Sequence, residues 1–157
     1  MRLSDVLVRE ATIYDLQSRT KEPVLREMLA AMVASGNVTA SRQDELMEAL
    51  MRRERLGTTG VGKGIAVPHA KHGSVDGLIA SIGHSGSGVD FTSLDSEPVF
   101  TVFMLLASPQ ATSEHLAVLE RISAIVRDDD YWRFLRDAKS SEEMLELIQE
   151  ADANFGQ

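Results

Sequence analysis

Residues 98–108 restrict the possible folds of this chain more than any other stretch. Their sequence, PVFTVFMLLAS, is almost wholly apolar, which is typical of a β-strand buried on both faces. Such a strand requires helices on each side of its sheet, and segments with helical spacing of apolar residues lie before and after it. The sequence therefore predicts an α/β fold, a mixed β-sheet flanked by helices in a single domain over residues 1–157.

The remaining elements are predicted from periodicity and from turn signals. Helices are expected over residues 22–35, 41–56, 130–138 and 141–151, with one more that begins at a capping Thr112. Further strands are expected over residues 11–17, 64–69 and 77–85. The stretch SGSGVD (85–90) is predicted to be a turn-rich connection, and a loose tail is expected from about residue 154.

Composition excludes several classes of protein. The chain has no cysteine, which excludes disulfides, thiolate metal sites and cysteine nucleophiles. Its formal net charge of −8 argues against a protein held mainly by nucleic-acid phosphates. No apolar run approaches the roughly 18 residues of a membrane span, and Asp5 and Glu10 interrupt any signal peptide. We expect a cytoplasmic protein that neither inserts into membranes nor binds nucleic acid.

The glycine-rich stretch GTTGVGKG (57–64) nearly matches the nucleotide-binding P-loop, G-x-x-x-x-G-K-[ST]. Its last position is Gly64, so the hydroxyl that would ligate Mg²⁺ is missing. The expected context is also reversed, because a P-loop follows a strand and opens a helix, whereas here a helix precedes and a strand follows. Nucleotide hydrolysis is therefore disfavoured, and a flexible surface turn is the alternative.

The histidines offer two kinds of site. A metal centre is disfavoured: His69 and His72 are three residues apart but follow Pro68 rather than lying on a helix face, and no H-E-x-x-H motif is present. We expect neither a metal nor a cofactor. His72 and His84 are interpreted as polar surface positions in or beside loops.

His69 is placed differently, at the end of a short apolar strand and directly after the glycine-rich loop. His115 lies in the first turn of a predicted helix, where backbone N–H groups favour an anion. Arg53 ends the helix that leads into the loop. Two imidazoles and a guanidinium could hold a phosphoryl group, although their spacing alone leaves open whether they meet.

Two segments carry a family likeness. RERLGTTGVGKGIAVPH (53–69) closely resembles the active-site signature of the enzyme IIA components of the bacterial phosphoenolpyruvate-dependent phosphotransferase system, in the fructose, mannitol and nitrogen-regulatory branch. SEHLAVLERI (113–122) resembles the second motif of that family, in which a histidine opens a long helix. The likeness extends from SDVL (4–7) to SEEMLELI (141–148).

The resemblance implies that His69 is phosphorylated by the histidine phosphocarrier protein HPr or a relative. It implies supporting roles for His115 and Arg53, and a phosphate-site loop that includes Thr59 and Gly60. The phosphoryl group would pass to a IIB-type component or to a regulated target protein. The implied fold is a mixed sheet flanked by helices, in agreement with the periodicity.

Two residues depart from the family pattern. Ala70 stands where a glycine is usual, and Lys63 occupies a position often filled by a neutral or acidic residue. Lys63 adds positive charge near the loop, which is expected to strengthen phosphate retention or to alter the choice of donor.

Three functions follow as hypotheses. The first is a phosphohistidine carrier of the nitrogen-regulatory kind, favoured because no transporter component is fused to the domain. The second is a soluble IIA component of a fructose- or mannitol-type sugar uptake system. The third is a regulatory binding module that has lost phosphotransfer; the presence of His69, His115 and Arg53 argues against it.

Overall fold

The computed structural model describes residues 1–155, which form a single α/β domain. Within them the α-helices are α1 (Lys21–Ala34), α2 (Gln43–Leu56), α3 (Thr112–Arg127), α4 (Asp129–Arg136) and α5 (Ser141–Phe155). The strands are β1 (Gly60–Gly62), β2 (Ile65–Ala66), β3 (His69–Lys71), β4 (Leu78–Val89) and β5 (Val99–Ala107). Short 3-10 helices occupy Leu3–Asp5, Arg9–Ala11 and Ala40–Arg42. The predicted mixed sheet flanked by helices is confirmed.

The apolar strand β5 is the centre of the sheet. It pairs antiparallel with β4 along one edge and parallel with β2 and β3 along the other, while β1 pairs antiparallel with β2. Because side chains alternate across a strand, β5 contributes to two cores. Val102, Met104 and Leu106 pack in the core under α1 and α2, whereas Phe103, Leu105 and Ala107 pack in the core under α3, α4 and α5. Burial on both faces is therefore confirmed.

The predicted strand over residues 64–69 is divided into two. β2 ends at Ala66 and β3 begins at His69, and both lie parallel to β5. Pro68 separates them because proline has no N–H to donate to a ladder. Its carbonyl still accepts a hydrogen bond from Leu105 N–H at 3.0 Å. His69 therefore begins a strand, and the prediction that it ends one is wrong.

The stretch SGSGVD, predicted to be a connection, mostly belongs to β4, which continues to Val89. Its register against β5 is irregular between His84 and Val89. Glycines and serines here serve a distortion within a strand rather than a turn between strands. Gly88 has a φ of +91°, and a Cβ on it would lie 2.9 Å from Pro98 Cβ, so this position requires glycine.

The strand predicted over residues 11–17 is not formed. Arg9–Ala11 is a 3-10 helix, and the segment pairs with β4 at one isolated bridge between Ile13 and Gly83 and through a hydrogen bond from Leu16 N–H to the His84 carbonyl. The segment therefore runs parallel to β4 without forming a continuous ladder with it. Local alternation alone could not distinguish these two arrangements.

The helix ends also differ in detail from the prediction. Thr112 is the first residue of α3 rather than its cap, and the preceding Ala111 has no side chain that could accept a hydrogen bond. α5 continues to Phe155, so the expected tail does not begin at residue 154; residues 156 and 157 lie outside the described residues. Among residues 1–155, no helix combines the length and apolar character needed to cross a bilayer.

Candidate active site

Two imidazoles meet at the edge of the sheet where β3 begins. His69 is the first residue of β3 and lies opposite Leu105 of β5. β5 ends two residues later, and a short connection leads into α3, which carries His115 in its first turn. The two rings are 5.3 Å apart between centroids, with their planes at 76°. The parallel pairing of β3 with β5 thus brings together residues that are far apart in the sequence.

One nitrogen of His69 has a defined partner. Its Nδ1 lies 2.8 Å from the carbonyl oxygen of Val67. A carbonyl oxygen only accepts hydrogen bonds, so this contact places a proton on Nδ1. In a neutral imidazole the other nitrogen, Nε2, then carries a lone pair and no proton. This is the form that can act as a nucleophile.

The surroundings of His69 favour the neutral ring. Burial lowers the pKa of His69 below its ordinary value of 6.5, and the positive charges of Arg53 and Lys71 lower it further. The hydrogen bond to Val67 and the negative charge of Glu54 act in the opposite direction but do not outweigh burial. The ring is therefore predominantly uncharged at pH 7.

His115 lies deeper than His69. It is 5% exposed, and burial, together with His69 and Lys71, lowers its pKa to about 4. Its Nε2 is buried and has no hydrogen-bond partner among residues 1–155. A neutral imidazole with an unused polar atom beside His69 can donate to or accept from a third group.

Arg53 lies in the last turn of α2, at the rim of the same cleft. Its Nη1 donates to the carbonyl of Gly57 at 2.8 Å, which holds the side chain over the start of the glycine-rich loop. A guanidinium has five N–H donors, and this is the only hydrogen bond that its side chain makes within residues 1–155. Most of its donors therefore remain for an anion.

The cleft consists of two hollows that share Arg53, His69 and Leu119. One, of about 420 Å³, is also lined by His115 and Lys71. The other, of about 300 Å³, is lined by Thr59 and by apolar side chains of α3, with Arg127 at its far end. Larger hollows of about 630 and 580 Å³ elsewhere on the surface are lined by neither histidine. The chemistry of the side chains, rather than volume, selects this cleft.

The two predicted loop residues occupy different environments. Thr59 lines the smaller hollow, but its hydroxyl and its N–H both donate to the carboxylate of Glu54. Gly60 donates its N–H to Thr58 Oγ1 at 3.0 Å. A Cβ on Gly60 would lie 2.9 Å from Ser93 Cα, so glycine is needed here for close approach of the 91–98 loop.

The two departures from the family pattern lie in different places. Lys63 adopts a left-handed φ of 59°. Its Nζ lies 3.5 Å from Asp129 Oδ1 and 5.6 Å from the centroid of the Trp132 ring. Its charge is thus directed towards α4. Ala70 is mostly buried opposite Leu106 and also lines the larger hollow of the cleft.

Glu54 is the residue that the sequence analysis missed. Its side chain is 1% exposed and its Oε1 lies 2.9 Å from Lys21 Nζ. The same carboxylate accepts from the N–H of Thr59 at 3.1 Å and from the Thr59 hydroxyl. An acid within the basic run Arg52, Arg53 and Arg55, directly before the glycine loop, was the available signal.

The other two histidines do not join the site. His84 is 4% exposed, and its two nitrogens face the carbonyls of Tyr14 and Arg136 at 3.0 and 2.7 Å; its prediction as a surface residue is wrong. His72 follows β3 and contacts Ser74 and Glu45. Within residues 1–155, His, Asp and Glu side chains form no group of three or more that could hold a metal ion.

A family model described as "Phosphoenolpyruvate-dependent sugar phosphotransferase system, EIIA 2" matches residues 5–151. The chain belongs to this family. It is therefore a phosphotransferase-system component of the EIIA type, and the predicted family is confirmed.

Relatives of this EIIA chain carry two kinds of name. It is 34% identical over 157 residues to a nitrogen regulatory protein of Pseudomonas aeruginosa, with 100% of this chain and 99% of that protein covered. It is 32% identical over 152 residues to the fructose-specific EIIABC component of Bacillus subtilis, with 97% of this chain but only 24% of that protein covered. The crystal structure of the nitrogen regulatory protein IIA-Ntr of Neisseria meningitidis superposes with a TM-score of 0.84 at 26% identity, covering 93% of this chain and 98% of that one. The observed fold is therefore that of IIA proteins.

Proposed function

We propose that this EIIA chain is a phosphohistidine carrier of the nitrogen-regulatory kind. His69 accepts a phosphoryl group from an HPr-type phosphocarrier protein and passes it to a IIB-type component or a regulated target. The observation that carries the proposal is the state of His69: Nδ1–H is tied to the Val67 carbonyl, Nε2 is unprotonated, and His115 and Arg53 adjoin it. The full-length match to a nitrogen regulatory protein supports the regulatory role.

The transfer step needs no metal and no added base. The Nε2 lone pair of His69 attacks phosphorus, the N–P bond of the donor phosphohistidine breaks, and its electron pair returns to the donor imidazole. The Nδ1 proton of His69 stays in place. Phosphoryl transfer passes through a loose transition state with charge on the equatorial oxygens. Catalysis is then mainly positioning and electrostatic stabilisation.

Arg53 and His115 supply that stabilisation. The guanidinium of Arg53 offers a planar fork of donors to the phosphoryl oxygens. His115 is neutral at pH 7, because its pKa is lowered to about 4. A phosphoryl group on His69 places negative charge beside this ring, which favours its protonated form. His115 thereby becomes a stronger donor once the phosphoryl group has arrived, and it assists the onward transfer.

Phosphorylation also changes the surface that a partner meets. It adds about −1.5 to −2 charge to a cleft rimmed by the positive charges of Arg53, Lys71 and Arg127. Much of the local positive charge is neutralised without a change of fold. A partner protein can distinguish the two states by electrostatics alone.

A direct assay tests this proposal. The chain is incubated with phosphoenolpyruvate, enzyme I and an HPr-type protein, and its intact mass is measured. We expect a mass gain of one phosphate, abolished by His69→Ala. His72→Ala is the matched control, because this histidine lies three residues away and does not line the cleft; it should label like the wild type. No mass gain with cognate donors would refute the carrier function.

Sugar transport is the second candidate, favoured by the 32% identity to a fructose-specific component. In that case the phosphorylated chain passes its group to a IIB domain of the fructose or mannitol type. Mixing the phosphorylated chain with such a IIB domain and measuring both masses separates the candidates. Rapid and complete transfer favours transport, whereas retention of phosphate favours the regulatory role.

A further inference from the structure

The buried carboxylate of Glu54 lies directly behind the cleft and takes no part in the reaction outlined above. It immediately follows Arg53 in α2, and its three contacts within residues 1–155 are with the Lys21 ammonium, the Thr59 N–H and the Thr59 hydroxyl. Burying a charge is unfavourable unless it is paired and hydrogen-bonded. Glu54 meets that condition, and both of its neutral contacts are with one residue of the glycine-rich loop.

A series of hydrogen bonds connects Glu54 to His69. Glu54 holds Thr59 through its N–H at 3.1 Å, and the Thr59 carbonyl accepts from Val67 N–H at 3.0 Å. The Val67 carbonyl in turn accepts from His69 Nδ1–H at 2.8 Å. Thr59 and Val67 are thus each held at both their N–H and their C=O groups. The carboxylate fixes the peptide groups that determine which nitrogen of His69 carries the proton.

We infer that Glu54 is a positioning residue for phosphoryl transfer, which keeps His69 in the Nδ1–H tautomer with Nε2 available in the cleft. The catalytic role of Glu54 in this inference rests on the proposed function. The structural part of the inference, the coupling of Glu54 to the tautomer of His69, holds in the unphosphorylated protein. A neutral imidazole with its proton on Nε2 would present no lone pair to phosphorus.

Glu54 also acts on His69 through its charge. The charged groups that influence His69 are Arg53 and Glu54 from α2 and Lys71 from β3, and the His115 ring faces it from α3. Glu54 raises the pKa of His69, whereas Arg53 and Lys71 lower it. Loss of the Glu54 charge therefore lowers the pKa of His69. Loss of the carboxylate as a hydrogen-bond acceptor for Thr59 weakens the contacts that keep the His69 proton on Nδ1. These two effects have different signatures in a pH profile.

The test is Glu54→Leu, with Glu48→Leu as the matched control, because leucine cannot accept from Thr59 whereas glutamine would keep one acceptor oxygen. Glu48 lies on the same helix, is 55% exposed in its side chain and pairs with Arg55 at 2.7 Å, so the control removes one charge from α2 without touching the Thr59 contacts. We expect uptake from the phosphorylated HPr-type donor to fall by about tenfold on the high-pH plateau, as for loss of an outer-shell partner. The acid limb of the same profile should move to lower pH.

Nitrogen NMR of the imidazoles supplies a readout that does not require phosphotransfer. In the wild type the His69 shifts should report Nδ1–H and an unprotonated Nε2, and in Glu54→Leu they should move towards a mixture of tautomers. Unchanged His69 shifts and an unchanged pH profile, with only a loss of stability, would overturn the inference and leave Glu54 a structural link between α1 and α2. If the wild type takes up no phosphate, the proposed function fails but the NMR comparison still decides the coupling.

A second variant covers the case in which Glu54→Leu does not fold because Lys21, which is only partly exposed, is left without its partner. Lys21→Met with Glu54→Leu removes both charges together and keeps apolar side chains of similar size at both positions. We expect this double variant to show the same altered tautomer and the same shift of the acid limb. Wild-type behaviour of His69 in the double variant would likewise overturn the inference.

Discussion

His69 and His84 both contact backbone carbonyls, yet only His69 keeps a ring nitrogen available for another group. His69 has one nitrogen on the Val67 carbonyl, and its other nitrogen is left for the cleft. His84 has carbonyls on both sides, Tyr14 at 3.0 Å and Arg136 at 2.7 Å, and its ring stacks on Tyr14. Both nitrogens of His84 therefore face acceptors, and neither is left for a ligand. Burial alone therefore does not identify a nucleophile; the partner of the second nitrogen does.

The largest expected effects come from exchanging each of these two histidines for alanine. His69→Ala should abolish phosphate uptake and leave stability nearly unchanged, since the half-buried ring has one hydrogen bond. His84→Ala should retain uptake but lose about 2–3 kcal/mol of unfolding free energy, because two carbonyls lose their donor and a buried ring is removed. Intact mass and urea denaturation measure the two quantities. Loss of uptake in a folded His84→Ala protein would contradict the comparison.

A smaller effect is expected from His115, which lies beside His69 in the cleft but is not the residue proposed to be phosphorylated. His115→Ala should still accept phosphate on His69, because the nucleophile is intact. Onward transfer should slow by about 10- to 100-fold, since a hydrogen bond to a charged group is worth about 1.5–3 kcal/mol. Single-turnover transfer to an acceptor IIB domain or target measures this rate. Normal onward transfer by the variant would refute the role proposed for His115.

The pH dependence of stability should distinguish His115 from a solvated histidine. Its pKa is lowered from 6.5 to about 4 in the folded state, so the unfolded chain binds a proton first as the pH falls. Stability should therefore be highest above pH 6.5 and decline as the pH falls towards about 4. His69, with its pKa lowered too, acts in the same direction. Urea denaturation at several pH values should show a shallower decline in His115→Gln than in the wild type.

The smallest effect is expected from Lys63, whose ammonium group contacts residues of α4 rather than the cleft. Its pair with Asp129 is exposed, so Lys63→Ala should leave the free energy of unfolding nearly unchanged and phosphate uptake close to that of the wild type. Trp132 is the only tryptophan in the chain, so its fluorescence should respond to the loss of the Lys63 contact. Lys139→Ala is a suitable control. A large loss of uptake would show that Lys63 reaches the phosphate after all.

Prediction from sequence succeeded where the signal was local. The strand β5 and the helices α1 to α5 were recognisable because apolar residues repeat at the period of each element. It failed at SGSGV, where glycine and serine lie in an irregular part of a strand. It also failed at residues 11–17, where the β-branched Ile13 makes only an isolated bridge. Turn-forming residues do not by themselves say whether a turn or a bulge is formed.

At the candidate site, the sequence alone named His69, His115 and Arg53, because residues 53–69 resemble a long family motif and His115 stands at a helix start, as in the second motif of that family. It also determined the α/β class, since an apolar strand among amphipathic helices leaves few other arrangements. Only the tertiary structure decided which groups meet these residues: Glu54 with Lys21 and Thr59, the Val67 carbonyl on His69, and Lys63 on Asp129. The physical reason is that periodicity records what each segment buries, whereas hydrogen-bond partners from distant segments depend on how those segments pack.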